Sequence, residues 1–138
     1  MAEKIRYQHP DGLLRRFFYW IITIIAAILY RFPQHSVRVI GVTGTKGKST
    51  TAYMIAKIFA EQGIGVGMIC SLGYMINGQE WPNTSRMTMP SKLELLRFLA
   101  KARRSKVQFV VIEVTSEGMS QKRLAGIRPD CAVLTNLY

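Results

Sequence analysis

The stretch "VRVIGVTGTKGKSTTAYMIAKIFAEQG" (Val37–Gly63) decides the fold class. A β-branched apolar run leads through a knot of glycine, threonine and lysine into a segment, Ser49 to Glu61, with apolar residues at helical spacing: Met54, Ile55, Ile58 and Phe59. The bend between strand and helix is Gly44-Thr45-Lys46-Gly47-Lys48-Ser49-Thr50. Glycines there let the backbone curl so that successive N–H groups point inward at a polyphosphate. The helix that starts near Lys48 aims its N-terminal dipole and free amides at the same anion. Lys48 is then placed to reach the β and γ phosphates of ATP, and the Ser49 hydroxyl to ligate Mg²⁺. The strict G-x-x-x-x-G-K-[ST] pattern asks for glycine at position 42, which is Val42; the glycine stands at Gly41 instead.

Downstream, the α/β pattern continues. "GIGVGMICSLGYMINGQEW" reads as a second strand, Val66 to Cys70, followed by a hairpin turned at Asn77-Gly78. Pro90, then Ser91-x-x-Glu94, is a capping-box signature. It opens a helix with Leu93, Leu96, Phe98 and Leu99 on its apolar side, and Lys101, Arg103 and Arg104 complement the dipole at its far end. Val107 to Val114 is a near-continuous apolar run, as in a parallel strand buried on both faces. Glu113 breaks it near its C-terminal end, where α/β ligands bind, and a carboxylate there can share Mg²⁺ with ATP phosphates. A solvent-exposed or ion-paired glutamate is the plainer reading of that residue alone. "RPDCAVLTNLY" supplies a further strand, Cys131 to Thr135. Together these units give an α/β fold: a parallel sheet flanked by helices, with a phosphate-binding loop after the first strand.

At three places the sequence resembles the Mur ligases, ATP-dependent enzymes that add amino acids to a cell-wall precursor and have folylpolyglutamate synthetases as relatives. "GVTGTKGKSTTAYMIAKIF" is similar to their ATP-binding loop, G-T-x-G-K-[ST]-[ST] after an apolar strand, which accounts for the departure from the strict motif. "VQFVVIEVTSEGMSQKRL" matches their Glu-[VA]-Ser-Ser segment through Glu113-Val114-Thr115-Ser116, and the resemblance assigns Glu113 to the metal. "MTMPSKLELLRFLAKA" is similar to the Thr-Thr-Pro segment of the tripeptide-synthetase branch. There Thr88 falls on the first threonine and Met89 on the second, where it cannot donate a hydrogen bond. In the same branch a histidine stands where this chain has Glu117, whereas Gln121 and Arg123 match its precursor-binding Gln-x-Arg.

The resemblance implies amide formation through an acyl phosphate, with Lys48 and Glu113 catalytic and with ATP, Mg²⁺, a UDP-linked muramoyl precursor and an amino acid as partners. Thr88, Thr115, Gln121 and Arg123 are then expected to orient the precursor. It covers about Ser36 to Tyr138, the front part of an incomplete central ATP-binding domain, and a piece of that extent is expected to hold nucleotide without completing the ligation.

Residues 1–35 form a separate unit. Between Arg16 and Arg31 lie fourteen uncharged residues, including Phe17, Phe18, Tyr19 and Trp20 beside the arginines. As a helix this spans about 21 Å against a hydrocarbon core of about 30 Å. An interfacial membrane anchor over residues 13–31, a helix packed on the rest of the protein and a short spanning segment all stay open. Pro33 closes the segment and "PQHS" links it to residues 36–138. The expected location is the cytoplasm, at or near the inner face of the membrane.

The 138 residues, 49% hydrophobic and 20% charged, are enough for one domain with a core and argue against a disordered chain. The net charge of +11, from 19 Lys and Arg against 8 Asp and Glu, favours polyanionic partners, or reflects one part of a larger protein. Cys70 and Cys131 lie in apolar runs without metal-ligand spacing and read as buried thiols. Two other function classes remain: a different P-loop ATPase or kinase, and a basic module binding membrane or nucleic acid. Nucleic acid is not the expected partner.

Overall fold

The computed structural model describes residues 37–84 and 87–137, together with Phe17, Trp20, Ile21, Ile24, Ile25 and Ile28. The hydrophobic helix read over residues 13–31, apart from those six positions, and the linker before Val37 lie outside the described residues. Among the described residues no helix is long and apolar enough to cross a membrane.

The first strand, β1 (Arg38–Thr43), runs into helix α1 (Lys48–Glu61). Strand β2 (Val66–Cys70) is followed by β3 (Gly73–Ile76) and β4 (Gln79–Pro82), then helix α2 (Lys92–Arg104). Strand β5 (Phe109–Glu113), a short helix α3 (Ser116–Ser120) and β6 (Cys131–Leu134) complete the order. The strands form one sheet in the order β4-β3-β2-β5-β1-β6. β2, β5, β1 and β6 are parallel neighbours, whereas β3 and β4 join antiparallel at the edge. The sheet is therefore mixed: the expected parallel strands are joined at one edge by the hairpin read at Asn77-Gly78, which corrects the expectation of a simple parallel sheet. A two-residue turn can only return the chain antiparallel, and this turn is Asn77-Gly78 with φ of 48° and 81°, both positive as a type I′ hairpin needs.

Helices cover both faces. On one, α2 lays Leu95, Phe98, Leu99 and Ala102 over Val39, Ile69, Val110 and Ile112. Its start carries the full capping box between Ser91 and Glu94. On the other face, α1 packs on Ile40, Val42, Met68 and Val111. Here the structure departs from the periodicity: Met54 and Ile58 are 57% and 58% exposed, and the fully buried positions are Ala52 and Ala56. Small residues at i and i+4 let the helix axis approach the sheet, and Ile55 and Phe59 close the flank. Among the described residues β4 forms one edge of the sheet and β6 the other. Leu134 is exposed there, and an apolar cavity of about 530 Å³ lies beside it between Gly41, Val114, Leu124 and Pro129. Cys70 is buried as expected, but Cys131 on that edge is exposed.

Candidate active site

The C-terminal ends of β1, β2, β5 and β6 meet at one rim, because parallel strands all end on the same side. The residues that follow them make the site. After β1, Gly44 has φ 135° and Gly47 φ 79°, a region that L side chains rarely enter. At Gly44 a Cβ would also lie 2.1 Å from Thr135 Oγ1, so only glycine fits.

Helix α1 starts without the usual help. Its N-cap Gly47 offers no side-chain acceptor, and its first turn has no acidic residue. By contrast, α2 is capped by Ser91 and α3 by Thr115. The amides of Gly47, Lys48, Ser49 and Thr50 thus have no acceptor among the described residues, the arrangement an anion completes. Lys48 Nζ donates to the carbonyls of Gly44 at 3.0 Å and Thr45 at 3.2 Å, folded back along the loop.

Glu113 lies across this turn. It pairs in register with Val42 and shares the α1 face with Val111, two residues earlier. Its carboxylate is 2% exposed. Oε2 accepts from Ser49 Oγ and from the Ser71 amide, each at 2.8 Å, and the two serine hydroxyls are 2.6 Å apart. No cationic side chain lies within 4.0 Å of it, since the ion pair among the described residues is Lys57–Glu80, and Oε1 has no partner among them. A buried carboxylate with one bare oxygen and no counter-ion costs several kcal/mol, and a cation relieves that cost. The donor set, one carboxylate and two hydroxyls, is hard oxygen. It fits Mg²⁺, which keeps waters and takes phosphate oxygens rather than needing an all-protein cage. Among the described residues no cluster of three or more His, Cys, Asp or Glu offers another metal site.

Of the residues expected to orient the precursor, Gln121 and Arg123 are hydrogen-bonded to each other. Arg123 donates Nη1 to the carbonyl of Met89 and Nε to Gln121 Oε1 at 2.9 Å. Gln121 Nε2 donates to Glu117 Oε1 at 2.9 Å. Thr115 Oγ1 accepts from the Gly118 amide at 3.0 Å as the cap of α3. Thr88 adjoins Met89, so Arg123 ties its segment to the turn after α3. Two residues that depart from the branch's pattern, Met89 and Glu117, have local contacts. Met89 is 1% exposed, and a Cβ at Gly118 would lie 2.3 Å from its Sδ, so the thioether fills space a side chain at 118 would need. Glu117 serves as acceptor for Gln121.

Ser71, Thr135 and Asn136 also belong to the site, though the sequence reading did not single them out. Asn136 Oδ1 accepts from the amides of Thr45 and Lys46, each at 3.0 Å. Their signal lay in position: each stands within two residues of the end of a strand that finishes at the ligand-binding rim.

The family model described as Mur ligase middle domain matches residues 42–138. The UDP-N-acetylmuramyl-tripeptide synthetase of Treponema pallidum is 40% identical over 114 residues, 81% of this chain and 21% of that protein. The UDP-N-acetylmuramoyl-L-alanyl-D-glutamate–2,6-diaminopimelate ligase of Corynebacterium glutamicum is 38% identical over 117 residues, 85% of this chain and 22% of that protein. A solved structure of a ligase with that same name superimposes with a TM-score of 0.66 at 30% identity, over 79% of this chain and 23% of that one. The Mycobacterium tuberculosis folylpolyglutamate synthase complexed with ADP shares the fold, with a TM-score of 0.59 at 20% identity over 81% of this chain and 31% of that one. The chain thus spans about a fifth of the length of the curated relatives it matches.

Proposed function

Because this chain belongs to the Mur ligase family through the middle-domain match over residues 42–138, we propose that it is the ATP-handling part of a ligase that extends a UDP-muramoyl precursor by one amino acid. Residues 36–138 form the front of the central domain and residues 1–35 a separate leading segment. The observation that carries this reading is the buried Glu113 carboxylate hydrogen-bonded to Ser49 and Ser71, beside four unpartnered amides.

In the reaction we assign, the precursor carboxylate attacks the γ-phosphorus of ATP, the bond to the β-phosphate oxygen breaks and ADP leaves. The amine of the amino acid then attacks the carbonyl carbon of the resulting acyl phosphate. The carbon–oxygen bond to phosphate breaks with its electron pair leaving on phosphate, and the nitrogen gives up a proton as the amide forms. The chain's own residues act chiefly on the first step. The amides of Gly47 to Thr50 hold phosphate oxygens, and Lys48 swings from Gly44 and Thr45 to neutralise charge on the transferring group. Ser49, Ser71 and Glu113 would hold Mg²⁺, which supplies charge neutralisation at the phosphates when bound. Thr88, Thr115, Gln121 and Arg123 orient the precursor, with Arg123 fixing the segment that presents Thr88. Since the chain spans about a fifth of its relatives' length, this stretch alone is assigned nucleotide binding, with the ligation left to the full enzyme.

Calorimetric titration with the magnesium complex of a non-hydrolysable ATP analogue tests the reading. Saturable binding that needs Mg²⁺ and weakens about a hundredfold in Lys48→Ala is expected. Equal binding by wild type and Lys48→Ala, or none by wild type, overturns it. The exposed apolar side chains Phe17, Trp20, Ile24, Ile25 and Ile28 support a contact of residues 13–31 with the inner face of the cytoplasmic membrane. Co-sedimentation with anionic vesicles, lost when residues 13–31 are deleted, is the corresponding check.

A further inference from the structure

The loop that would hold the phosphates is fastened from outside itself. Asn136 lies just past β6, 90 residues along the chain from Lys46, yet its carboxamide reads the peptide groups of the loop. Oδ1 accepts from Thr45 N and Lys46 N, and Nδ2 donates to Lys46 O at 3.1 Å. Thr135 adds a hydroxyl donor to Lys46 O at 2.7 Å, and its amide donates to Thr43 O at 2.9 Å. Both lone pairs of Asn136 Oδ1 and both of Lys46 O are thereby engaged.

Three carbonyls of the loop are held by side-chain donors. Two of them, Gly44 O and Thr45 O, are covered by Lys48 Nζ, and the third, Lys46 O, by Thr135 and Asn136. Once Lys48 swings to a phosphate, its two bonds to the loop are lost. The bonds from Thr135 and Asn136 are then what keeps the loop in shape, at the moment when four free amides must converge on one anion.

We propose that Asn136, seated by Thr135, is a positioning residue of the phosphate cradle. It withdraws the amides of Thr45 and Lys46 from anion binding and aligns those of Gly47 to Thr50 on the phosphate. This rests on the nucleotide-binding reading above, which assigns no role to either residue. The chemistry selects Asn over Asp: a carboxylate could accept both N–H groups but could not donate to Lys46 O, and it would set a negative charge beside the nucleotide.

The test uses the full chain in three forms: wild type, Asn136→Ala and Asn136→Asp. Amide hydrogen exchange is read by NMR, and affinity for the magnesium complex of a non-hydrolysable ATP analogue by calorimetry. In the nucleotide-free wild type, the Thr45 and Lys46 amides are expected to be protected and those of Gly47 to Thr50 to exchange fast. Asn136→Ala should release the first pair and weaken nucleotide binding about tenfold to a hundredfold, and Asn136→Asp should weaken it at least as much. Asp130→Asn is the structural control, because Asp130 Oδ2 accepts from the Val39 amide at the other end of β6, at 2.7 Å. It should lower the melting temperature without changing affinity.

Should wild type bind no nucleotide while Thr45 and Lys46 stay protected through Asn136, the nucleotide reading fails and the clamp stands. Wild-type binding with unchanged exchange and affinity in Asn136→Ala overturns the clamp. If Asn136→Ala does not fold, Asn136→Asp decides: undiminished nucleotide affinity in that variant refutes the proposal.

Discussion

Replacing Glu113 by glutamine separates a metal-holding carboxylate from a structural one. The change is nearly isosteric at a site 2% exposed, so packing is kept and only charge and hydrogen bonding alter. The two bonds that Oε2 accepts, from Ser49 Oγ and Ser71 N at 2.8 Å each, are charge-assisted. Such bonds contribute about 1.5–3 kcal/mol each, against about 0.5–1.5 for neutral ones. Glutamine therefore loses about 2–3 kcal/mol over the pair, and its amide nitrogen falls where Oε1 had no partner. Against this, removing an unpaired buried charge recovers several kcal/mol of desolvation. The terms oppose each other at similar size, so without Mg²⁺ the variant should lie within about 2 kcal/mol of wild type. With Mg²⁺ the two should diverge. Wild type gains about 1.4 kcal/mol at a free concentration ten times the dissociation constant, while Glu113→Gln gains nothing and binds magnesium nucleotide about a hundredfold more weakly or worse. Urea unfolding with and without Mg²⁺ reads the first effect and calorimetry the second. A Glu113→Gln protein destabilised by more than about 3 kcal/mol, yet stabilised by Mg²⁺ like wild type, would show that Glu113 is a structural hub and refute the metal assignment.

Further outcomes follow from other contacts. Gly118→Ala forces a Cβ to 2.3 Å from Met89 Sδ and should destabilise by about 1–3 kcal/mol; in a double-mutant cycle with Met89→Ala most of that loss should vanish, and additive losses would show that the two do not share the space. Arg123→Lys cannot bridge Gln121 and the Met89 carbonyl at once. Hydrogen exchange over residues 87–90 should therefore quicken while nucleotide affinity stays unchanged, and unaltered exchange would free Arg123 from its tethering role. Cys131 should be alkylated readily at neutral pH and Cys70 spared until denaturation, since Cys70 is buried and burial pushes its thiol up. Mass spectrometry of the labelled protein distinguishes them, and early labelling at Cys70 would contradict the packing of β2.

The features legible in the sequence were those with short-range chemistry. The Asn77-Gly78 turn, the Ser91–Glu94 box and the Gly44–Ser49 bend each need particular residues at fixed spacing, and each stands where the pattern put it. Glu113 was legible as a charge in an apolar run. The buried face of α1 was not. Hydrophobic periodicity weighs large side chains, and here Ala52 and Ala56 face the sheet while Met54 and Ile58 turn outward. The hairpin was legible from Asn77-Gly78, but its two short strands carry no mark of which edge of the sheet they will join. Ser71, Thr135 and Asn136 were silent for another reason. Small polar residues after a strand look like any loop, and their partners lie 22 to 92 positions away. Strand order alone makes them visible, by bringing the ends of β2 and β6 to the rim that β1 and β5 already occupy.

The most direct measurement replaces magnesium with paramagnetic Mn²⁺ in the presence of the ATP analogue and follows which backbone amides broaden. With the ion held between Ser49, Ser71 and Glu113, the signals of those three residues and of Val114 should disappear first, with Asn77 and Ser105 at the opposite end of the sheet unaffected. Broadening centred anywhere else in the domain, or spread evenly over its surface, would contradict a metal-and-phosphate site at this rim.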